Sequence, residues 1–265
     1  MTTGLILAPL SAPPLELYEY PLIIAVGILS GFINTVAGGG SLITLPLLIF
    51  LFDLPGSVAN ATNRIAILAQ SSLATAGFRS KGIKLPTPYI YYLAGAAVAG
   101  GFIGANLAIA ISDQLFNRIL AVIMIVVVIL TVRNGNRNVV IGNENLSLPA
   151  RIFGVFAFLF IGMYGGFLQA GIGFVIIALF NGFHRFSLTV TNFIKVFLIM
   201  LLTIVAVVVF AVAGEIRWEY GIMLAIGQGI GGWYASRWSV SKDEKWIKAV
   251  IVVMVVVMAV KLWFF

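Results

Sequence analysis

The sequence predicts an all-α integral membrane protein made of two inverted repeats, each a glycine-broken membrane hairpin plus three transmembrane helices. Three observations point there. Of 265 residues, 61% are apolar and only 9% are charged, too few for the polar surface of a water-soluble globule. Two apolar regions are too long for one crossing, and glycines interrupt each at the same relative place. The Lys and Arg residues gather on one side of the membrane only when both regions are taken as hairpins.

Residues 1–20 read as a short N-terminal extension, because no basic stretch opens them and Glu16 and Glu19 interrupt them, unlike a cleaved signal. The first repeat, 21–133, begins with a hairpin over 21–52 and continues with spans near 58–78, 88–111 and 115–132. A polar linker, 134–150, joins it to the second repeat, 151–265, with its hairpin over 151–183 and spans near 187–213, 219–238 and 245–264. Crossing about 30 Å of hydrocarbon takes roughly 20 helical residues. The piece after each break has roughly 10–12 residues, about 15–18 Å of helix, so it dips in and returns. Segments of alternating polarity, which a β-barrel needs, do not occur.

With the N-terminus outside, both hairpins place Arg79, Lys81, Lys84, Arg133, Arg137, Arg151, His184, Arg185, Lys242, Lys245 and Lys248 inside. The acidic or mixed loops, at Glu16 and Glu19, Asp53, Asp113 and Glu215 to Glu219, fall outside. Taking each region as a single span puts the Lys242 to Lys248 cluster opposite Arg79 to Lys84. The expected location is therefore the inner (cytoplasmic) membrane, multi-pass, with both termini on the outer side. Trp218, Trp238, Trp246 and Trp263 lie at the ends of apolar runs, as an interfacial aromatic belt does.

The halves also match in sequence. Thr62-Asn63 corresponds to Thr191-Asn192, Gly100 to Ala105 lines up with Gly231 to Ser236, and each half closes on a run of Val, Ile and Met. An odd number of passes per half inverts one relative to the other, as in secondary transporters.

The 16 Lys and Arg against 9 Asp and Glu are spent on topology rather than on nucleic acid. There is no cysteine, His184 is the only histidine, and neither HExxH nor GxSxG occurs. No enzyme, catalytic residue, metal site or cofactor is expected.

The stretches GFINTVAGGGSLITLPLL and ANATNRIAILAQSSLATAGF, with the second-half counterparts GGFLQAGIGFVIIAL and TVTNFIK, resemble the sulfite exporter TauE/SafE family, part of the toluene sulfonate uptake permease group. The resemblance covers nearly the whole chain. The second motif departs from the family pattern: Phe174 stands where another glycine is common, and no proline corresponds to Pro46. The resemblance implies a carrier of sulfite, sulfonates such as sulfoacetate, or related anions, with export the expected direction; an anion channel or a carrier of a non-sulfur small carboxylate is the alternative.

An ionisable residue inside a span is a functional candidate because a charge at membrane depth is costly. Arg64 and Lys195 are the two, each beside a Thr-Asn pair and with no acidic residue in the same span; the bland alternative is a snorkelling side chain. Arg offers a planar fork of donors to an oxyanion and Lys a point charge. Gly38, Gly39 and Gly40 are expected to turn backbone N–H groups toward an anion, with a helix starting at Ser41 directing its positive end there. Gly171 and Gly173 do the same in the second hairpin. The expected substrate-binding set is completed by Asn34, Thr62, Asn63, Gln169, Thr191 and Asn192, while Gln70, Ser71 and Gln228 serve as lining or as interhelical glue. The pairs Gly27/Gly31, Gly100/Gly104, Gly162/Gly166 and Gly227/Gly231 are expected to be packing sites.

The partners expected are a small anionic substrate and membrane lipids, without nucleic acid; a homo-oligomer is left open. Alternating access at the bilayer centre, one repeat rocking against the other, is the expected mechanism. With no Asp or Glu in the spans, the membrane potential alone suffices to expel an anion from a negative-inside cell.

Overall fold

The computed structural model describes residues 15–86, 88–120, 122, 147–183 and 186–241. The later part of the expected span 115–132, residues 134–146 of the linker, the span 245–264 and the first 14 residues lie outside them. The described residues form helices and no strand.

The first long apolar region folds as α1 (Glu19–Val36), a break, α2 (Ser41–Pro46) and a π turn (Leu47–Leu51). Pro46 carries no N–H, and the ladder widens into the π turn directly after it. α3 (Gly56–Ser80) and α4 (Tyr89–Ala110) follow, then a helical stretch over 113–120. The second region folds as α5 (Leu148–Phe167), a break and α6 (Ile172–Phe183). α7 (Leu188–Val212) starts at Ser187, whose hydroxyl accepts the N–H of Val190, and α8 (Trp218–Ser241) ends the described chain.

α1, α4, α5 and α7 are long and apolar enough to cross a membrane. α3 and α8 are as long, at 25 and 24 residues, but more polar. Their polar side chains, among them Asn60, Asn63, Arg64, Gln70, Gln228 and Ser236, are buried inside the protein. Large apolar side chains such as Leu29, Phe102, Phe156, Phe160 and Val208 cover the exterior, which suits lipid rather than water.

α8 packs along α1 and α3, α4 packs along α5 and α7, and α3 meets α7 between them. Small residues allow these close approaches. A Cβ at Gly31 would lie 2.3 Å from the Gln228 carbonyl oxygen, and one at Gly227 2.3 Å from that of Ile24. A Cβ at Gly104 would lie 1.9 Å from the carbonyl oxygen of Met163, and one at Gly166 2.1 Å from that of Gly101. The four glycine pairs thus meet two by two, across α1–α8 and α4–α5, as packing sites.

Candidate functional site

Both hairpin helices stop in the same way. At the end of α1 the N–H groups of Ala37 and Gly38 both donate to the Ile33 carbonyl, and Gly38 takes a φ of 93°. At the end of α5 the N–H groups of Leu168 and Gln169 both donate to the Tyr164 carbonyl, and Gln169 takes a φ of 63°. A left-handed residue after the helix end is the usual stop, and glycine is its usual occupant. Gln169 holds that conformation through its side chain: Oε1 accepts from Arg64 Nη1, and Nε2 donates to Thr203 Oγ1 at 3.0 Å.

The breaks touch one another. A Cβ on Gly38 would lie 2.4 Å from the Cα of Gly173, and one on Gly173 2.3 Å from the Cα of Gly38. Two irregular backbone segments are therefore buried against each other, an arrangement that a membrane protein tolerates only inside protein or around a cavity.

Each buried cation reaches the broken helix of the opposite region. Arg64, on α3, donates to the carbonyls of Gly165 and Gly166 at the end of α5, to Gln169 Oε1, and to Asn60 Oδ1 at 3.2 Å. Its guanidinium also lies 5.5 Å from the centroid of the Phe210 ring. Lys195, on α7, donates to the carbonyl of Thr35, near the end of α1, at 2.8 Å and to Asn192 Oδ1 at 2.9 Å. Thr35 and Gly166 each stand three residues before the left-handed residue of their break, so the two cations meet corresponding carbonyls. The last carbonyls of a helix carry partial negative charge and favour a cation there. Both side chains are 0% exposed, so neither snorkels to the surface. Among the described residues every Asp and Glu lies in a loop or at the start of a helix, and the hydrogen bonds of these cations go to neutral oxygens, Arg64 Nε making none.

A buried polar network ties the remaining candidates together. Asn34 Nδ2 donates to Gln70 Oε1 at 2.8 Å, and Gln70 Nε2 donates to Thr35 Oγ1 at 2.6 Å. Asn63 Oδ1 accepts from Thr44 Oγ1 at 2.9 Å and from Gln228 Nε2 at 3.3 Å. Gly40 N–H donates to Asn34 Oδ1 at 3.3 Å, and its carbonyl accepts from Ser30 Oγ at 3.0 Å. Two of the three consecutive glycines thus have their amides engaged within the protein: Gly38 on Ile33 and Gly40 on Asn34. Gly39, between them, and Ser41, after them, are buried, Gly171 takes a φ of 74° in the second break, and Thr191 and Asn192 are buried near Lys195 on α7.

The broken helices and the buried cations lie within the segment that a family model, described as sulfite exporter TauE/SafE, matches: residues 23–262. The chain belongs to the sulfite exporter TauE/SafE family. It is a multi-pass membrane transporter. Its relatives include the "Probable membrane transporter protein YfcA" of Escherichia coli strain K12, 28% identical over 242 residues, which make up 89% of this chain and 87% of the relative. "Probable membrane transporter protein ORF9" of a Sinorhizobium species is 26% identical over 237 residues, 88% of either chain. A "Probable membrane transporter protein" of Haemophilus influenzae is 23% identical over 252 residues, 91% of this chain and 93% of the relative. No solved structure matches the chain.

Within this TauE/SafE chain, the hydroxyls of Thr62 and Ser71 bond elsewhere than at the breaks. Thr62 Oγ1 accepts the N–H of Arg217 at 3.0 Å and ties α3 to the approach of α8, and Ser71 Oγ donates to the Ile67 carbonyl of its own helix at 2.6 Å. The structure adds residues that sequence reading passed over. Asn60 stands one helical turn before Arg64 and spans from it to the Phe167 carbonyl, at 2.9 Å; the i, i+4 spacing is the signal that points to it. Thr44 and Thr203 reach Asn63 and Gln169 from other helices, which no local pattern reveals. A groove of about 570 Å³ between the starts of α4 and α5, lined by Tyr89, Tyr92, Arg151 and Phe156, lies at the other end of α5 from its break.

Proposed function

We propose that this transporter exports a small sulfur-containing anion, sulfite or a sulfonate such as sulfoacetate, across the cytoplasmic membrane by alternating access. The anion binds where the breaks meet, among residues 38–41 and 169–173, with Asn34, Asn63, Thr191 and Asn192 around it and Arg64 and Lys195 supplying positive potential. The observation that carries this reading is the pair of fully buried cations, each bonded to neutral oxygens alone, at the opposite broken helix and at an asparagine of its own helix. A net positive interior suits an anionic cargo. Thr62 is not part of this site, because its hydroxyl is engaged by Arg217.

The reading includes two inverted repeats, 21–133 and 151–265, joined by the linker 134–150, with both termini outside. The packing supports it: α1 lies on α8 as α5 lies on α4, and α3 lies on α8 as α7 lies on α4. Exchange of the two sets of helices leaves these pairings unchanged, as a pseudo-two-fold axis requires.

Flux of labelled sulfite into liposomes carrying the purified protein tests the carrier reading. Saturation with concentration is expected; large, unsaturable currents would instead mean a channel. A thermal-shift panel of sulfite, sulfoacetate, sulfate and small carboxylates tests the cargo, because a ligand stabilises the protein that binds it. Stabilisation by a carboxylate and not by the sulfur anions would overturn the substrate assignment.

A further inference from the structure

The two buried cations differ in what they have left to give. Arg64 directs its terminal nitrogens to four acceptors, two of them helix-end carbonyls, and is held on both sides by Asn60 and Gln169, so that its Nε alone is left without a partner. Lys195 uses two of its three N–H donors. Beside it on α7, Asn192 Nδ2 and Thr191 Oγ1 are buried without any hydrogen-bond partner. These side chains are 1% and 0% exposed. Because Oδ1 of Asn192 accepts from Lys195, the amide is oriented with its N–H groups as the free end. At about 100° per residue, Thr191, Asn192 and Lys195 fall within an arc of about 100° on one face of α7. Buried polar groups are almost always paired, so three unmet donors of different types on one helix face point to an acceptor that is absent from the chain itself.

We infer that Thr191, Asn192 and Lys195 form the primary oxyanion subsite, while Arg64 is a positioning residue that fixes the end of α5. The inference rests on the proposed transport of a sulfur anion and divides the labour within that site. Hydroxyl, amide and ammonium give one donor each to the three oxygens of a sulfite or sulfonate head group, and the ammonium offsets one negative charge. A carboxylate has two oxygens and leaves one donor unmet, so the subsite selects against it. The flexible lysine is also the group that can turn from the Thr35 carbonyl toward the anion, so that binding loosens the cap on α1. The planar fork of Arg64 spans two carbonyls and stays in place.

Calorimetric titration of the purified full chain in nanodiscs with sulfite, methanesulfonate and acetate tests the division. Thr191→Val and Asn192→Ala are each expected to weaken sulfite and methanesulfonate binding about tenfold while leaving weak acetate binding nearly unchanged. Lys195→Gln is expected to weaken the sulfur anions further. Arg64→Lys is expected to lower the melting temperature and to cost less affinity than Thr191→Val. Because Thr191→Val and Asn192→Ala change no charge, they carry the test if Lys195→Gln fails to fold. Wild-type affinity in both, together with a large loss in Arg64→Lys, would overturn the inference and leave the proposed function standing. A wild-type protein that binds neither sulfite nor methanesulfonate would overturn both.

Discussion

The first break and the second solve one problem with different residues. Each ends a helix at depth, each passes through a left-handed residue, and each has a cation at a carbonyl three residues earlier. In the first, glycine takes the left-handed turn and a lysine supplies the cation through one bond to the helix end. In the second, glutamine takes the turn and an arginine bonds two carbonyls and the glutamine itself. A glycine needs no support to hold φ of 93°, whereas Gln169 holds 63° because Arg64 and Thr203 grip its side chain. The lesson is that a stretch without a glycine triplet can make the same structural break when the neighbouring helices hold it.

That comparison is open to attack at either end. The largest effect is expected from Gly38→Ala, which meets an unfavourable φ and the Gly173 backbone 2.4 Å away. Loss of about 2–5 kcal/mol is expected, seen as loss of monodisperse protein on size-exclusion chromatography and of transport. Gly27→Ala, whose nearest contact would be 3.0 Å, should do much less; equal damage would mean that packing rather than the break is at stake. Arg64→Gln comes second. It strands the carbonyls of Gly165 and Gly166, and a loss of about 2–4 kcal/mol in thermal or chemical unfolding is expected. Gln169→Gly comes third: it relieves the backbone but removes both side-chain bonds, for a net loss of about 1–2 kcal/mol, whereas Gln169→Ala should lose more because it keeps the strain. A glycine variant as stable as wild type would show that the grip on the glutamine has no structural role.

The smallest effect lies outside the membrane. Burial, then Asp113, push the Glu215 carboxyl up, and Arg217 pulls it partly back. An acid whose folded pKa is raised favours the folded state when protonated, so its contribution is present at low pH and is lost as pH rises through that value. Glu215→Gln should therefore melt about 1 °C above wild type at pH 8 and level with it below about pH 4, measured by intrinsic fluorescence across pH.

The membrane class, the two breaks and the packing role of the glycine pairs were legible in the sequence because each is local: composition, an interrupted run, a four-residue spacing. The crossed grip of Arg64 and Lys195 was not. Sequence marked each as a cation lacking an acidic partner, but the partners are backbone carbonyls about 100 and 160 residues distant, which no side-chain pattern announces. Thr62 shows the same limit in reverse. It repeats in both halves beside an asparagine, yet its hydroxyl accepts the N–H of Arg217 just before α8, a partner 155 residues away that the repeat does not reveal.

The glycine contacts bear on which parts of the molecule are able to move. They bolt α1 to α8 and α4 to α5, and each of those pairs joins one helix from each half of the sequence. Rocking one half of the chain against the other would tear both pairs of backbones apart. Alternating access in this packing would instead move α1 with α3 and α8 against α4 with α5 and α7, and the crossed bonds of Arg64 and Lys195 span the seam between those two sets.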